Sequence, residues 1–298
     1  MNFFKSFGLA ILGVFLFLSL SFFGLVFTLD QTFLNPDFTV AQVEKLDIAS
    51  LAEDIVRDQV ISQATIPITL PIDIFIAGAV NETITDLEPW LKQQARDVTY
   101  SIYDYLEGRS QNLSVVIPLE AVKERLKINI SEAVITSPPP GLTDMPPATI
   151  ERYLEPFYDR IPSSFEIDED WLGPSTMAQI EQLRLLASHF NVIYYALIGF
   201  ILFLILMTIL LHHSVRGSTR ALGATFFSCG VFSYGGVWLT KYAIGAQSAI
   251  PQVPVYLQSW LPQLMNDILS PMELYSFGLA GVGVVLLIVS FVYRRQAE

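Results

Sequence analysis

Chemistry needs polar side chains brought together, and this sequence offers few sets of them. The densest acidic run is "EIDED", residues 166–170. Within it Asp168, Glu169 and Asp170 carry the oxygen donors that Ca2+ takes. The run lacks the spaced D-x-D-x-D-G frame and the distant glutamate of a calcium-binding loop, so an acidic surface run is the plainer reading. A paired-carboxylate hydrolase needs two acids set apart by position, and nothing in the chain sets a pair apart. His189, His212 and His213 are the only histidines. The first falls at one end of an apolar run and the other two at its opposite end, so they cannot share a metal within one chain. Cys229 is the only cysteine, which rules out a disulfide framework and a C-x-x-C pair. No H-E-x-x-H, G-x-S-x-G or phosphate-binding P-loop occurs. No enzymatic activity and no cofactor is expected.

One charge stands out by its setting. "SCGVFSYGGVWLTKYAIG" (228–245) is apolar enough for a bilayer, yet it contains Lys241. Placed about one turn from the end of a span, the lysine stem carries its ammonium to the headgroup level. Asp267 and Glu273, on the segment that follows, are the counter-charges expected for it. Three sequons, at Asn81, Asn112 and Asn129, are acceptors for glycosylation in a cell with that machinery, although Asn129 falls on a predicted helix.

The elements that hold these residues follow from hydropathy. Hydrophobic residues make up 52% of the 298-residue chain, and mean hydropathy is +0.47. That is too apolar for a soluble domain and too polar for a bare membrane bundle. Four runs are long enough to span a bilayer: 7–29, 190–211, 221–244 and 274–293. The first is too long for the h-region of a cleaved signal peptide and is expected to remain as an anchor.

Lys5, Arg216 and Arg220, and Arg294 and Arg295 flank the spans on one side, whereas 246–272 has no lysine or arginine. The positive-inside rule then places both termini in the cytoplasm and residues 30–189 outside the plasma membrane. The expected organisation is an anchor (1–29), an acidic, mostly helical extracytoplasmic domain (30–189) and a three-span region (190–298) with an outer loop at 246–272. The fold class is mainly α.

From Asp30 to Ser188 there are 26 acidic and 11 basic side chains. This balance argues against nucleic acid or anionic headgroups as partners of the domain. The partners left are the bilayer itself and a protein, or a second copy, met through the domain.

Apolar spacing predicts helices at 47–60, 86–109, 119–135 and 148–159, with a short strand at 113–119, while 73–80 is nearly all apolar and ambiguous between a buried helix, the preferred reading, and a strand. "LNPDFT" (34–39) reads as a turn, "IPITLPI" (66–72) as extended and "SPPPGLTDMPP" (137–147) as a proline-rich spacer. "STMAQIEQLRLLASHF" (175–190) opens on a capping pattern, Thr176 to Gln179, and runs without a breaker into the second span. A continuous helix over 176–211 would reach about 54 Å. "VYLQSWLPQLMNDILSPM" (255–272) is amphipathic, with Trp260 as the expected anchor of a helix in the interface. Small residues crowd the third and fourth spans, which predicts a tight pair with the first two spans around it.

The pattern "TFLNPDFTVAQVEKLDI", Trp90 and "YDYLEGRSQNLSVVIPLEAVKERL", within residues 30–130, resembles a group of prokaryotic integral membrane proteins of uncharacterised activity. That resemblance implies an anchored helical outer domain and a prokaryotic source. The order of one span, a large outer domain and three further spans is similar to that of mechanotransmitting ABC permeases, in which an ATPase drives helical stalks. Here the N-terminal stretch is too short for the amphipathic helix those permeases place before the first span.

Overall fold

The computed structural model describes residues 3–46, 72–136, 146, 149, 152, 155, 158–159, 161–212, 214–246 and 255–295. The expected helix 47–60, nearly all of the extended stretch 66–72 and nearly all of the proline-rich stretch lie outside the described residues, and only scattered positions of 148–159 fall inside them.

The chain is mainly α. In order, the described elements are α1 (Phe3–Gln31), α2 (Pro36–Glu44), α3 (Ile72–Asp86), α4 (Glu88–Leu106), β1 (Val115–Pro118), α5 (Glu120–Thr136), β2 (Ser164–Ile167), α6 (Glu169–His212), α7 (Val215–Ala246) and α8 (Val255–Arg295). Four of them, α1, α6, α7 and α8, are long and apolar enough to cross a membrane. The chain divides into two compact units, Met1–Thr39 with Leu185–Glu298, and Val40–Arg184. The division falls within α6.

In the first unit, α7 and α8 form an antiparallel pair, and small residues set their spacing. A methyl group on Gly230 would lie 2.6 Å from the Ala280 nitrogen and 2.7 Å from the Ser276 carbonyl oxygen. One on Gly283 would fall against the Phe227 nitrogen, and one on Gly223 would lie 3.0 Å from the Gly283 carbonyl oxygen. Only hydrogen fits at Gly230 and Gly283, and a methyl group at Gly223 fits only if its neighbours give by a few tenths of an ångström. Gly223 and Gly230 are seven residues apart, as are Ser276 and Gly283, so one helical stripe from each partner makes the seam. Gly235, Gly236, Gly278 and Gly281 have open space beside them, so they belong to no close approach among the described residues.

Helix α1 lies against this pair. Leu16, Leu20 and Val26 are buried, while Phe7, Leu18, Phe22 and Leu25 face outward. Leu16 and Leu20 join Ile201 and Leu204 of α6 and Leu222 and Cys229 of α7 in one apolar core. Hydrogen bonds cross it as well: the Tyr275 hydroxyl donates to the Leu20 carbonyl at 2.8 Å, and Ser21 Oγ lies 3.3 Å from Cys229 Sγ. Outward leucines and phenylalanines over such a core are what hydrocarbon, rather than water, tolerates.

In the second unit, α3 packs on α5. Ala79, Val80, Thr83 and Ile84 of α3 are buried, as are Leu126, Asn129, Ile130 and Val134 of α5. Spacings of three and four put each set on one face. The segment 73–80, ambiguous by pattern, is helical and extends to Asp86. Helix α4 starts two residues after the expected position, with Pro89 in its first turn, where a missing N–H costs no hydrogen bond. It ends on Gly108 (φ 76°). The Gly108 N–H donates to the Tyr105 carbonyl and the Arg109 N–H to the Asp104 carbonyl, the two bonds of a left-handed helix stop.

Three expectations change. "LNPDFT" is the start of α2: Asn35 Oδ1 accepts from the Asp37 N–H at 3.0 Å, and Pro36 is the first helical residue. Helix α6 begins at Glu169, before the Thr176 pattern, and breaks once at Gly173 (φ 74°, ψ 160°) before continuing from Pro174. The amphipathic stretch 255–272 continues directly into the last span, as the first part of α8, with Pro262 and Pro271 inside the helix. Gly173 holds a conformation that β-carbons exclude. Gly173→Ala is expected to destabilise the second unit by about 1–3 kcal/mol, seen as a lower urea midpoint; an unchanged midpoint would mean that the break is not held.

Candidate functional site

The acidic run of 166–170 caps a helix. Asp168 Oδ1 accepts from the Trp171 N–H at 2.8 Å, and Glu169 and Asp170 occupy the first turn of α6. Carboxylates are favoured there by the exposed N–H groups and the helix dipole. Glu166 lies in β2 and accepts from Ser114 Oγ at 3.0 Å. Among the described residues, no three His, Cys, Asp or Glu side chains converge as metal ligands. His189 and His212 each bond a carbonyl of their own helix, and His213 lies outside the described residues.

Lys241 Nζ donates to Glu273 Oε2 at 2.6 Å, joining α7 to α8. Both side chains are about two-thirds covered. Asp267 stands six residues earlier on α8. A charge left alone at a partly covered site costs more than a pair removed together. Lys241→Met is therefore expected to lower Tm in detergent more than Lys241→Met combined with Glu273→Gln. Equal losses in the single and double variants would show the two charges to be uncoupled.

The sequons separate by burial. Asn81 and Asn112 are exposed, the first on α3 and the second in the bend after α4. Asn129 is 1% exposed. Its Nδ2 donates to Thr83 Oγ1 and to Asp86 Oδ2, both at 3.1 Å. An amide so occupied accepts no glycan in the folded chain, so Asn129 is corrected from acceptor to core residue. Arg125 Nε donates to the same Asp86 oxygen at 2.8 Å. These bonds, first from Arg125 and then from Asn129, hold the Asp86 carboxyl below its ordinary pKa.

Two clusters escape a reading by motif. In the first, Tyr105 at the end of α4 meets α6: its hydroxyl donates to Glu181 Oε2 at 3.0 Å, and the Arg184 guanidinium stands 4.5 Å from its ring centre. Arg184 also donates to the Ser110 carbonyl at 3.4 Å. Burial, and then the Glu181 contact, raise the Tyr105 phenol above its ordinary pKa. The apolar spacing of 86–109 marks Tyr105 or Leu106 as inward-facing, but nothing in the sequence names Glu181, 76 residues away, as a partner.

The second cluster is the ribbon of β1 and β2. The strands pair antiparallel, Val115 opposite Ile167 and Ile117 opposite Phe165. The expected strand 113–119 contracts to 115–118, and β2 runs into the first two residues of the 166–170 acidic run. Phe165 meets Trp171 edge to face, with ring centres 5.5 Å apart. Both rings reach the surface, at 37% and 58% exposure.

Comparisons with protein-family models, curated proteins and solved structures find no match to this chain.

Proposed function

We propose that this chain is a non-enzymatic integral membrane protein whose acidic helical unit binds or scaffolds a protein partner, or a second copy, at the outer surface of the plasma membrane. One observation carries the reading: six of the described acids of the Val40–Arg184 unit are engaged in holding it together. Asp168 caps α6, Asp86 bonds Arg125 and Asn129, Glu44 pairs with Arg96, Asp104 and Glu107 pair with Arg109, and Glu181 accepts from Tyr105. A domain built this way offers surface rather than a reaction centre. The outward orientation rests on the lysine and arginine distribution at the span ends, and the acidity of the unit disfavours nucleic acid. Purification in mild detergent, with identification of what accompanies the chain, tests the proposal. A protein recovered monomeric and without a partner would sink it.

A second reading is supported by α6. From Pro174 to His212 this helix has no further break, and it carries both the Glu181 and Arg184 contacts and a candidate span. Such a helix suits a permease-like subunit in which an ATPase partner moves a stalk, as in the mechanotransmitting ABC permeases whose span order is similar. Co-purification of an ATPase supports this reading, and its consistent absence removes it.

A further inference from the structure

We propose that the outer edge of β2 is a docking site for an extended, basic peptide segment of a partner protein, added as a third strand. This rests on the reading that the Val40–Arg184 unit binds a partner, and it names where and what.

The hydrogen-bond register leaves this edge open. The Leu119 N–H donates to the Ser163 carbonyl at 2.8 Å, in step with the pairs of the ribbon. In an antiparallel ladder, residues that exchange hydrogen bonds alternate with residues that do not. The Leu119 bond to Ser163 fixes the register, so Ile117 with Phe165 and Val115 with Ile167 are the hydrogen-bonded pairs. Ser164 and Glu166 therefore turn their N–H and carbonyl groups away from β1. Among the described residues, no third strand takes them up. The opposite edge is different. There Val116 and Pro118 turn outward, and Pro118 has no N–H to offer. Helix α4 also approaches β1. A two-stranded ribbon is marginal by itself, and a third strand is its natural completion.

The chemistry of the occupant follows from the side chains along the edge. On one face of the ribbon stand Phe165 and, against it, Trp171, an exposed aromatic pair that prefers an apolar neighbour. On the other stands Glu166, with Val116 opposite it at 56% exposure. Glu169 and Asp170 follow at the start of α6. A strand alternating apolar and basic residues would lay its apolar side chains beside Phe165 and Trp171 and its cations beside the carboxylates. A second copy of β2 would instead bring Glu166, Glu169 and Asp170 against their own counterparts.

The test uses the full chain in phosphatidylcholine nanodiscs, whose neutral surface does not hold a cationic peptide. The probe is an end-capped heptapeptide alternating valine and lysine. Expected are saturable binding and slowed hydrogen exchange at the Ser164 and Glu166 amides. Methylating alternate peptide nitrogens leaves charge intact but blocks strand addition, and is expected to weaken binding about tenfold or more. Glu166→Lys is expected to lose the lysine peptide and gain the matching glutamate peptide. Where that variant folds poorly, the methylated peptide and the exchange measurement on the wild type still decide the matter.

Absence of binding, equal binding of the methylated peptide, or unchanged exchange at Ser164 and Glu166 overturns the proposal, as does a dimer joined through β2. The broader reading fails separately. A partner cross-linked elsewhere on the unit, with no peptide bound at β2, sinks the edge alone. A chain that purifies alone yet binds the peptide at these amides keeps the edge and sinks the resident partner.

Discussion

Gly230→Leu lowers the Tm of the detergent-solubilised protein by about 10 °C, and Gly283→Leu does the same. That result is expected because the added carbons meet backbone, not pliant side chains. A Cβ at Gly230 would lie 2.6 Å from the Ala280 nitrogen, and one at Gly283 would fall against the Phe227 nitrogen. Helices α7 and α8 must move apart. Their separation also pulls on the α1 contacts, since Tyr275 of α8 bonds the Leu20 carbonyl and Cys229 of α7 lies against Ser21. Overpacking of this kind costs about 3 kcal/mol, which corresponds to the Tm change stated for a unit of this size. Gly235→Ala is the matched control. Its Cβ enters open space, and alanine gains helix propensity of about 1 kcal/mol over glycine. If Gly230→Leu melts with the wild type, the close seam is wrong.

The second large effect lies at Asn129. Asn129→Ala removes two hydrogen bonds and leaves the buried Thr83 hydroxyl without the donor it accepts from. The expected loss is about 2–3 kcal/mol of stability in the second unit, read from urea unfolding. The same substitution changes the response to acid. Asp86 is held below its ordinary pKa by Arg125 first and Asn129 second. A carboxyl depressed in the folded state contributes stability above its unfolded pKa, about 4. That contribution disappears as pH falls from about 4 through the lower folded value. Without Asn129 the depression is smaller, so the variant loses less on acidification than the wild type over that interval. Parallel losses would show that Asn129 does not act on Asp86.

Hydropathy revealed the spans because lipid imposes length and composition over about 20 residues at a time. Amphipathic spacing revealed α4 and α5 for a similar reason. Where the sequence misled, a few atoms outweighed a pattern. Asn35 and Pro36 read as a breaker but start a helix, since Asn35 Oδ1 takes the first free N–H groups. The Thr176 pattern read as the start of a helix, yet α6 begins at Glu169 and passes Gly173 and Pro174 with a single left-handed residue. The "EIDED" run read as an acidic surface run with a weaker claim to bind Ca2+, whereas a strand ends and a helix is capped within those five residues. Asn129 matched a sequon, and only its partners 43 and 46 residues away show it to be core. Among the small residues of α7, composition alone could not separate Gly230, at the seam, from Gly235, which has room beside it. That difference depends on the rotation of one helix against the other.

Cys229 gives the chain a built-in clock. It is the only thiol, and it is 0% exposed, at the junction of α1 and α7. A maleimide dye has one place to react and reaches it only when those helices part. In the unmodified protein, the labelling rate therefore counts openings of the bundle. A bound partner, a change of lipid thickness or a substitution far away would each register as a faster or slower count, without any engineered probe.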